Sequence, residues 1–459
     1  MNKVLFSVLV VIGAIIVACK KDNGDGTVTT INDDSNLVKL GGNCSVDNTT
    51  TYAFSMQIDG LSSEDGLNFF NGNSFFNQNW VSAPSSTTAR DGLGPLFNAT
   101  SCATCHFRDG RGAPFSNQGM LFRLGSTADN SPDPIYGGQL QDFSILGVSK
   151  EGTMGISYVE VPGTYDDGTP YSLRMPTYAV NNTAYGSLAG NTGISPRVGQ
   201  QMIGLGLLEI IPENQILANA DPNDANGDGI SGKANYAVDI ESGQLKIGRF
   251  GWKANVPTIG HQVAGAFQGD LSIKSTYFTT ENYTSNQPSC DGLPNGGDPE
   301  VVFADLQAVM LYARTLAVPY RRNVLNTDVR EGAKLFRSAN CTACHKMNFT
   351  TGQSGSISAL KGQKIVPYTD LLLHDMGPDL ADNVPDHLAS GSEWRTQPLW
   401  GLGLISTVNS HTFLLHDGRA RSIEEAILWH GGEGTASRNA FKAMSANQRA
   451  QLLAYLESL

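Results

Sequence analysis

The chain has 459 residues, 40% hydrophobic and 16% charged, with 31 Lys and Arg against 43 Asp and Glu and a formal net charge of -12. At roughly 100–200 residues per domain this length makes two or three domains with real cores, which excludes disorder, collagen and a many-span membrane protein. The acidic balance, without a clustered basic stripe, argues against nucleic acid as a partner, and 51 Gly with 20 Pro predict many ordered loops around a modest set of helices.

Lys3 precedes an apolar run over residues 4–18 broken only by Ser7 and Gly13, too short to span a bilayer comfortably but right for a secretion signal. The run ends Ile16-Val17-Ala18-Cys19, which resembles a bacterial lipobox. Cys19 is then the expected acylated N-terminus of an exported protein, held to a bacterial membrane by that lipid alone and facing the periplasm. Lys20 is compatible with outer-membrane sorting; an ordinary cleaved signal with an unrelated Cys is the alternative. Residues 19–48, rich in Gly, Asp, Asn and Thr, read as a flexible tether.

The seven cysteines carry the chemistry. Besides Cys19 they are Cys44, Cys102, Cys105, Cys290, Cys341 and Cys344. Cys102-Ala103-Thr104-Cys105-His106 and Cys341-Thr342-Ala343-Cys344-His345 are both C-x-x-C-H, the pattern that attaches c-type haem. The two thiols add across the haem vinyl groups, and the adjoining His106 or His345 binds iron from one face. A thioredoxin-type motif does not require the His, and a zinc site made of both pairs leaves each His unexplained. Two covalent haem c groups are therefore expected, in keeping with export. Cys44 and Cys290 remain, either as a disulfide or as two thiols in loops.

Between the attachment sites, Asp224, Asn226 and Asp228 with Gly229 follow the first half of a calcium loop, but the twelfth position is Asn235 rather than Glu. The segment reads as a calcium site or as an Asx-rich turn. Leu325, Val329, Ala333 and Phe336 recur at helical spacing and predict a helix directly before the second attachment loop. Ser422 and Glu425 form a capping-box pattern, and on the helix they open Ile423, Ile427 and His430 share a face, which turns His430 toward the haem. Ser445 and Gln448 open a last helix carrying Leu452, Leu456 and Leu459. The expected organisation is a signal over 1–18, the tether over 19–48, an N-terminal haem domain with insertions over 49–315 and a cytochrome c domain over 316–459. The expected fold is mainly α: two cytochrome c-like haem domains with long loops and small β insertions.

With two C-x-x-C-H sites, His416-Asp417-Gly418 and the Ser-Ile-Glu-Glu-Ala helix after it, the chain resembles the bacterial di-haem cytochrome c peroxidase superfamily. Gly94-Pro95-Leu96-Phe97-Asn98, Asp109-Gly110-Arg111-Gly112, Gly204-Leu205-Gly206-Leu207-Leu208-Glu209, Gly248-Arg249-Phe250-Gly251-Trp252-Lys253, Leu372-Leu373-His374-Asp375-Met376-Gly377 and Trp429-His430-Gly431-Gly432-Glu433 resemble its di-haem oxidoreductase family. The likeness covers roughly residues 65–459. It implies that His430, fourteen residues after His416, is the sixth ligand of the C-terminal haem, where the peroxidases place Met; a His ligand lowers the potential relative to Met.

The resemblance also implies a reaction. The C-terminal haem (His345, His430) would take electrons from a small cytochrome, a cupredoxin or a quinol-linked donor, and the N-terminal haem (His106) would reduce hydrogen peroxide. A non-enzymatic electron carrier and a di-haem oxidase of a protein or organic substrate are the other readings. Peroxide reduction needs an acid/base group over the iron. Glu209, in the apolar run 203–211, is the first candidate, against a capped or ion-paired carboxylate. Arg174 and Arg197 are cations able to polarise the O–O bond or meet haem propionates, or structural partners. His261, Met202 and Met376 are further ligand candidates against core or surface roles, and Trp252 is a candidate bridge between the haems against a core Trp.

Overall fold

The computed structural model describes residues 37–459; the expected secretion signal and Cys19 lie outside them. From α1 (Ser63–Asn77) the chain passes through the short helical turn Cys102–Cys105 into strands β1 (Met120–Ser126), β2 (Thr153–Thr164), β3 (Pro170–Asn181) and β4 (Thr192–Val198), then helices α2 (Ile259–Leu271) and α3 (Phe303–Thr315). Next come α4 (Thr327–Ser338), a tight turn Cys341–Ala343, strands β5 (Leu373–Asp375) and β6 (Glu393–Arg395), and helices α5 (Ile423–Leu428) and α6 (Ala446–Ser458). No described helix is long and apolar enough to cross a membrane.

The two halves repeat one helix crossing. Gly72 of α1 meets α3 where a Cβ would run into the Ala308 carbonyl and come 2.7 Å from Tyr312 Cβ. Gly332 of α4 meets α6 in the same way, against the Gln451 carbonyl and 2.7 Å from Tyr455 Cβ. One turn later Phe76 packs on Tyr312 at 5.3 Å between ring centroids, and Phe336 on Tyr455 at 5.3 Å. Each Phe then faces an attachment histidine, His106 at 6.2 Å and His345 at 6.3 Å. A glycine is needed at each crossing because only a bare backbone lets the helices approach this closely. The crossing thus sets the wall against which each imidazole rests.

Helix boundaries follow local chemistry. Asn326 caps α4 by accepting from the Asp328 and Val329 amides, and Ser445 with Gln448 forms a complete capping box on α6. Val329, Ala333 and Phe336 are buried as their spacing predicts, but Leu325 precedes the helix and is exposed. Ser422 caps α5, which ends at Leu428, so His430 stands beyond the helix rather than on it.

The expectation of a mainly α fold is overturned. Helix makes up 29% and strand 18%, the strands forming seven separate two-stranded sheets among the described residues. The largest insertion is the β2–β3 hairpin, twelve pairs long from Thr153↔Asn181 to Thr164↔Pro170. Much of β2 is exposed or half-buried, and the hairpin alternates apolar residues only over short stretches, Met154, Ile156 and Tyr158 in β2 and Tyr171, Leu173 and Met175 in β3. The β1–β4 pair carries a second apolar cluster, in which Met120, Phe122 and Val198 pack with Trp252 and Trp394.

The tether reading over 19–48 also fails from residue 37 onward. Leu40 is fully buried, and Ser45–Val46 pair in parallel with Val318–Pro319. The Val366 amide donates to the Leu40 carbonyl at 2.8 Å. This segment is built into the C-terminal half, where its apolar residues outweigh its Gly-rich composition. One hydrophobic core runs across residues 315 and 316, taking in Tyr312, Leu316 and Val318 along with α4 and α6.

Gly72→Ala and Gly332→Ala should each cost about 1–3 kcal/mol by forcing the crossings apart. Gly66→Ala, in α1 with nothing within 4 Å of the new Cβ, should stabilise by about 0.5–1 kcal/mol. Urea midpoints of the three variants check this; equal effects at Gly66 and Gly332 would reduce the crossing to ordinary helix propensity.

Candidate haem sites

At the first attachment site the Cys102–Cys105 turn leads directly into His106, whose Nδ1 lies 2.7 Å from the Gln200 carbonyl. Burial lowers the His106 pKa, so the ring is neutral, its Nδ1–H donates to that carbonyl, and Nε2 keeps its lone pair for a metal. Gly199 lets the backbone press on the ring: a Cβ there would stand 3.1 Å from His106 Cε1.

The second site repeats this arrangement and adds a second histidine on the same cavity. His345 Nδ1 lies 2.7 Å from the Tyr368 carbonyl, and burial pushes its pKa down to about 4. His430 Nδ1 lies 2.7 Å from the Ala426 carbonyl, and burial again keeps the ring neutral. His345 and His430 both line one cavity, close enough for His430 to act electrostatically on His345. The cavity holds about 1730 Å³ of empty space, part of it open to solvent, and Cys341, Cys344 and Met376 are also in its wall.

These residues fit a haem. The wall is largely apolar, with Leu402, Ile405, Leu414 and Ile427 beside the two imidazoles, while Arg111, Arg395 and Gln200 supply donors. Gln200 Nε2 is buried without a protein partner, the kind of atom a haem propionate would satisfy. Cys344, Asp370 and His374 also come within 4.8 Å of one another; a thioether to haem at Cys344 would remove it from any separate metal site.

The His416-Asp417-Gly418 loop forms part of the same cavity wall. His416 stacks on Trp394 with centroids 3.7 Å apart and planes 12° from parallel, and Trp252 meets it edge-on at 6.4 Å. Burial drives the His416 pKa down to about 4, against the opposing charge of Asp417. For Asp417 burial is the largest influence and pushes upward, but His416, Arg419 and the Tyr178 hydroxyl outweigh it and hold the carboxyl at about 2. Trp252 Nε1 donates to the Val198 carbonyl at 2.9 Å, next to the Gly199 and Gln200 backbone that fixes His106. Trp252 therefore lies between the two attachment sites.

Several candidates go elsewhere. Glu209 is overturned as a distal acid: it pairs with Arg314 through both oxygens, at 2.7 and 3.0 Å, and caps α2 by accepting from the Ile259 amide at 2.8 Å. A carboxylate in an apolar run is here satisfied by a cation from another helix, which spacing along the chain does not disclose. Arg174 donates to the carbonyls of Arg419 and Gly418 at 2.8 and 2.9 Å and so braces the loop rather than facing a substrate. Arg197 pairs with Asp386 at 3.4 Å. Met202 packs at the edge of the main core, and His261 sits on α2 beside Phe278. Asp224, Asn226 and Asp228 turn their oxygens to the amides of Gly229, Asp228 and Ile230, a chain of Asx turns. The Cys44–Cys290 disulfide is absent: both are free buried thiols in separate clusters, Cys44 donating to the Ala359 carbonyl at 3.3 Å.

Trp394, Arg395, Asp370 and Gln200 had not been singled out from the sequence. The only local signal was polar or charged residues bounding apolar runs, as in Asp370-Leu371-Leu372-Leu373-His374.

Glu209→Gln should lower stability by about 1–3 kcal/mol while leaving haem spectra and peroxide reactivity unchanged; loss of reactivity at full stability would restore Glu209 to the reaction. The unfolded chain protonates His416 near its ordinary value of 6.5 and the folded chain near 4, so this group's stabilisation is complete above 6.5 and drains away as pH falls toward 4. Urea midpoints measured from pH 7 to 4 should accordingly fall less steeply in His416→Gln than in the unmodified protein; parallel curves would exclude His416 as a source of acid lability.

A family model described as di-haem oxidoreductase, putative peroxidase, matches residues 17–120 and 131–459. No curated protein matches the chain. With two C-x-x-C-H turns, each leading to an imidazole held by a backbone carbonyl, and a family match over nearly its whole length, the chain belongs to the di-haem oxidoreductase family.

Proposed function

We propose that the protein is exported, anchored through acylated Cys19, and reduces hydrogen peroxide with two electrons and two protons to two molecules of water. Two haem c groups, attached through Cys102 and Cys105 and through Cys341 and Cys344, supply the one-electron redox chemistry when bound. The observation that carries this reading is the pairing of His345 with His430 on one cavity whose wall continues through Trp394, His416 and Trp252 toward the segment holding His106. Two neutral imidazoles on one cavity suit a six-coordinate relay, and His106 heads the site at which peroxide is reduced. The electron donor is a small cytochrome, a cupredoxin or a quinol-linked protein, docking on the C-terminal half.

Within the chain, protons require groups that hold them near neutrality. Asp142 and Asp270 are carboxyls whose pKa burial raises, and both act electrostatically on Cys105 of the first site. Asn98 links them, its amide nitrogen donating to Asp142 at 2.8 Å and its carbonyl accepting from Gln139, which in turn donates to Asp270 at 2.9 Å. A carboxyl whose pKa burial raises is suited to pass a proton to a departing oxygen. In this reading they take the role that Glu209 does not hold.

Anaerobic addition of hydrogen peroxide to the half-reduced holoprotein, followed by optical and EPR spectra and by steady-state peroxide loss with a reduced cytochrome donor, tests the reading. Rapid oxidation with sustained turnover is expected, slowed at least tenfold in Asp142→Asn or Asp270→Asn. Two unreactive six-coordinate haems in every redox state would make the protein an electron carrier instead.

A further inference from the structure

Beside the second attachment site three buried side chains meet that the proposed reaction leaves unused. His374 on β5 places Nε2 2.8 Å from Asp370 Oδ2 and Nδ1 2.6 Å from Glu433 Oε2. With a carboxylate at each ring nitrogen both nitrogens carry hydrogen, and the ring is a cation clamped between two anions. Little water reaches them: the side chains of His374, Asp370 and Glu433 are 3%, 1% and 10% exposed.

Glu433 stands three residues after His430, and the two glycines between them lie flat on the chain that continues β5. A Cβ on Gly432 would strike the Asp375 carbonyl, and one on Gly431 would come 2.8 Å from the Met376 carbonyl. Opposite them, a Cβ on Gly377 would stand 2.8 Å from the Gly432 nitrogen. The second oxygen of Glu433 accepts from the Ser231 hydroxyl at 2.5 Å and the Asp375 amide at 3.3 Å. The run 430–433 is thus seated on 374–377 by backbone contact and locked there by the ion cluster. Helix α5 holds His430 from one side only, through Nδ1 to the Ala426 carbonyl at 2.7 Å and the backbone amide to the Ile427 carbonyl at 3.1 Å.

We propose that Asp370, His374 and Glu433 form a positioning latch that holds His430 against the second haem, and that breaking it opens that haem to an added small ligand such as cyanide or imidazole. This rests on the reading of His430 as sixth ligand. Without the Glu433 contact the chain after His430 is two glycines with full conformational freedom, and the imidazole is left with its support from the six-residue α5 alone, which is too little to keep it in place against an added ligand.

The test uses ferric holoprotein, with EPR and cyanide titration of each haem. His430→Ala should abolish the bis-histidine low-spin signal of the second haem; if it does not, the ligand assignment falls. Given that loss, Glu433→Gln and His374→Gln should convert part of the second haem to a high-spin form and raise its cyanide affinity at least tenfold, with the first haem's spectrum unchanged as a check on folding. Unchanged low-spin signal and cyanide affinity in both variants would overturn the latch while leaving His430 a ligand. Should either single variant fail to fold because a charge is stranded, the triple variant Asp370→Asn, His374→Gln and Glu433→Gln, which leaves none of the three charges behind, gives the same readout.

Discussion

An imidazole presents its free nitrogen in a fixed direction only if its other nitrogen is tied down, and in this protein a backbone carbonyl does so three times. Gln200 holds His106, Tyr368 holds His345 and Ala426 holds His430, each at 2.7 Å. Because those carbonyls come from backbone, their placement is a property of the fold. Tyr368 illustrates the cost, since its φ of 55° lies in the left-handed region that a large side chain avoids. Such a conformation costs on the order of 1–3 kcal/mol and persists only where the surroundings over-determine it. Here the Tyr368 ring is fully buried, meets Phe336 edge-on at 6.0 Å, and hydrogen-bonds through its hydroxyl to Tyr455 at 3.1 Å. The same α4–α6 crossing therefore supports the imidazole and the carbonyl that aims it.

The halves are not independent modules. The β2–β3 hairpin leaves the first half and grips the loop and helix that lead to His430 in the second. Its tip bonds Tyr165 to Glu424 at 2.5 Å and Asp167 to Arg449 at 2.9 Å. Further along, Glu160 pairs with Arg421, and Tyr178 donates to Asp417 at 2.7 Å. Insertions that look like decoration on a small cytochrome unit are thus the means by which one haem site braces the other.

Buried charge is concentrated where the two sites approach. Lys253, fully buried, donates to Asp382, Val384 and Ser390 at 2.9, 2.9 and 2.7 Å, and its ammonium stands 4.5 Å from the Trp394 ring centre. Arg419 and Asp417 form a second such pair at 2.7 Å. Buried pairs of this kind add little net stability, because desolvation offsets the attraction. Their use here is geometric: they hold Trp394 and His416 in one stack and leave the cavity wall little freedom to rearrange.

The chemistry of this protein was written in short segments. Both C-x-x-C-H turns, the capping box at Ser445 and the cap at Ser422 were legible because an attachment motif and a helix cap depend on residues a few positions apart. What depended on distant partners was not. Glu209 looked like a reactive carboxylate until Arg314, more than a hundred residues away, neutralised it; Cys44 and Cys290 looked like a pair until the fold buried them apart. The β2–β3 hairpin alternates apolar residues over Met154, Ile156 and Tyr158 and over Tyr171, Leu173 and Met175, but its twelve-pair length and its contacts with the second half depend on partners distant in the chain. By itself the sequence determined the two C-x-x-C-H turns and the histidine that ends each, since that information is local. Tertiary structure alone decided which groups face each other across the cavity, because hydrogen bonds, ion pairs and helix crossings join residues that have no fixed distance until the chain has folded.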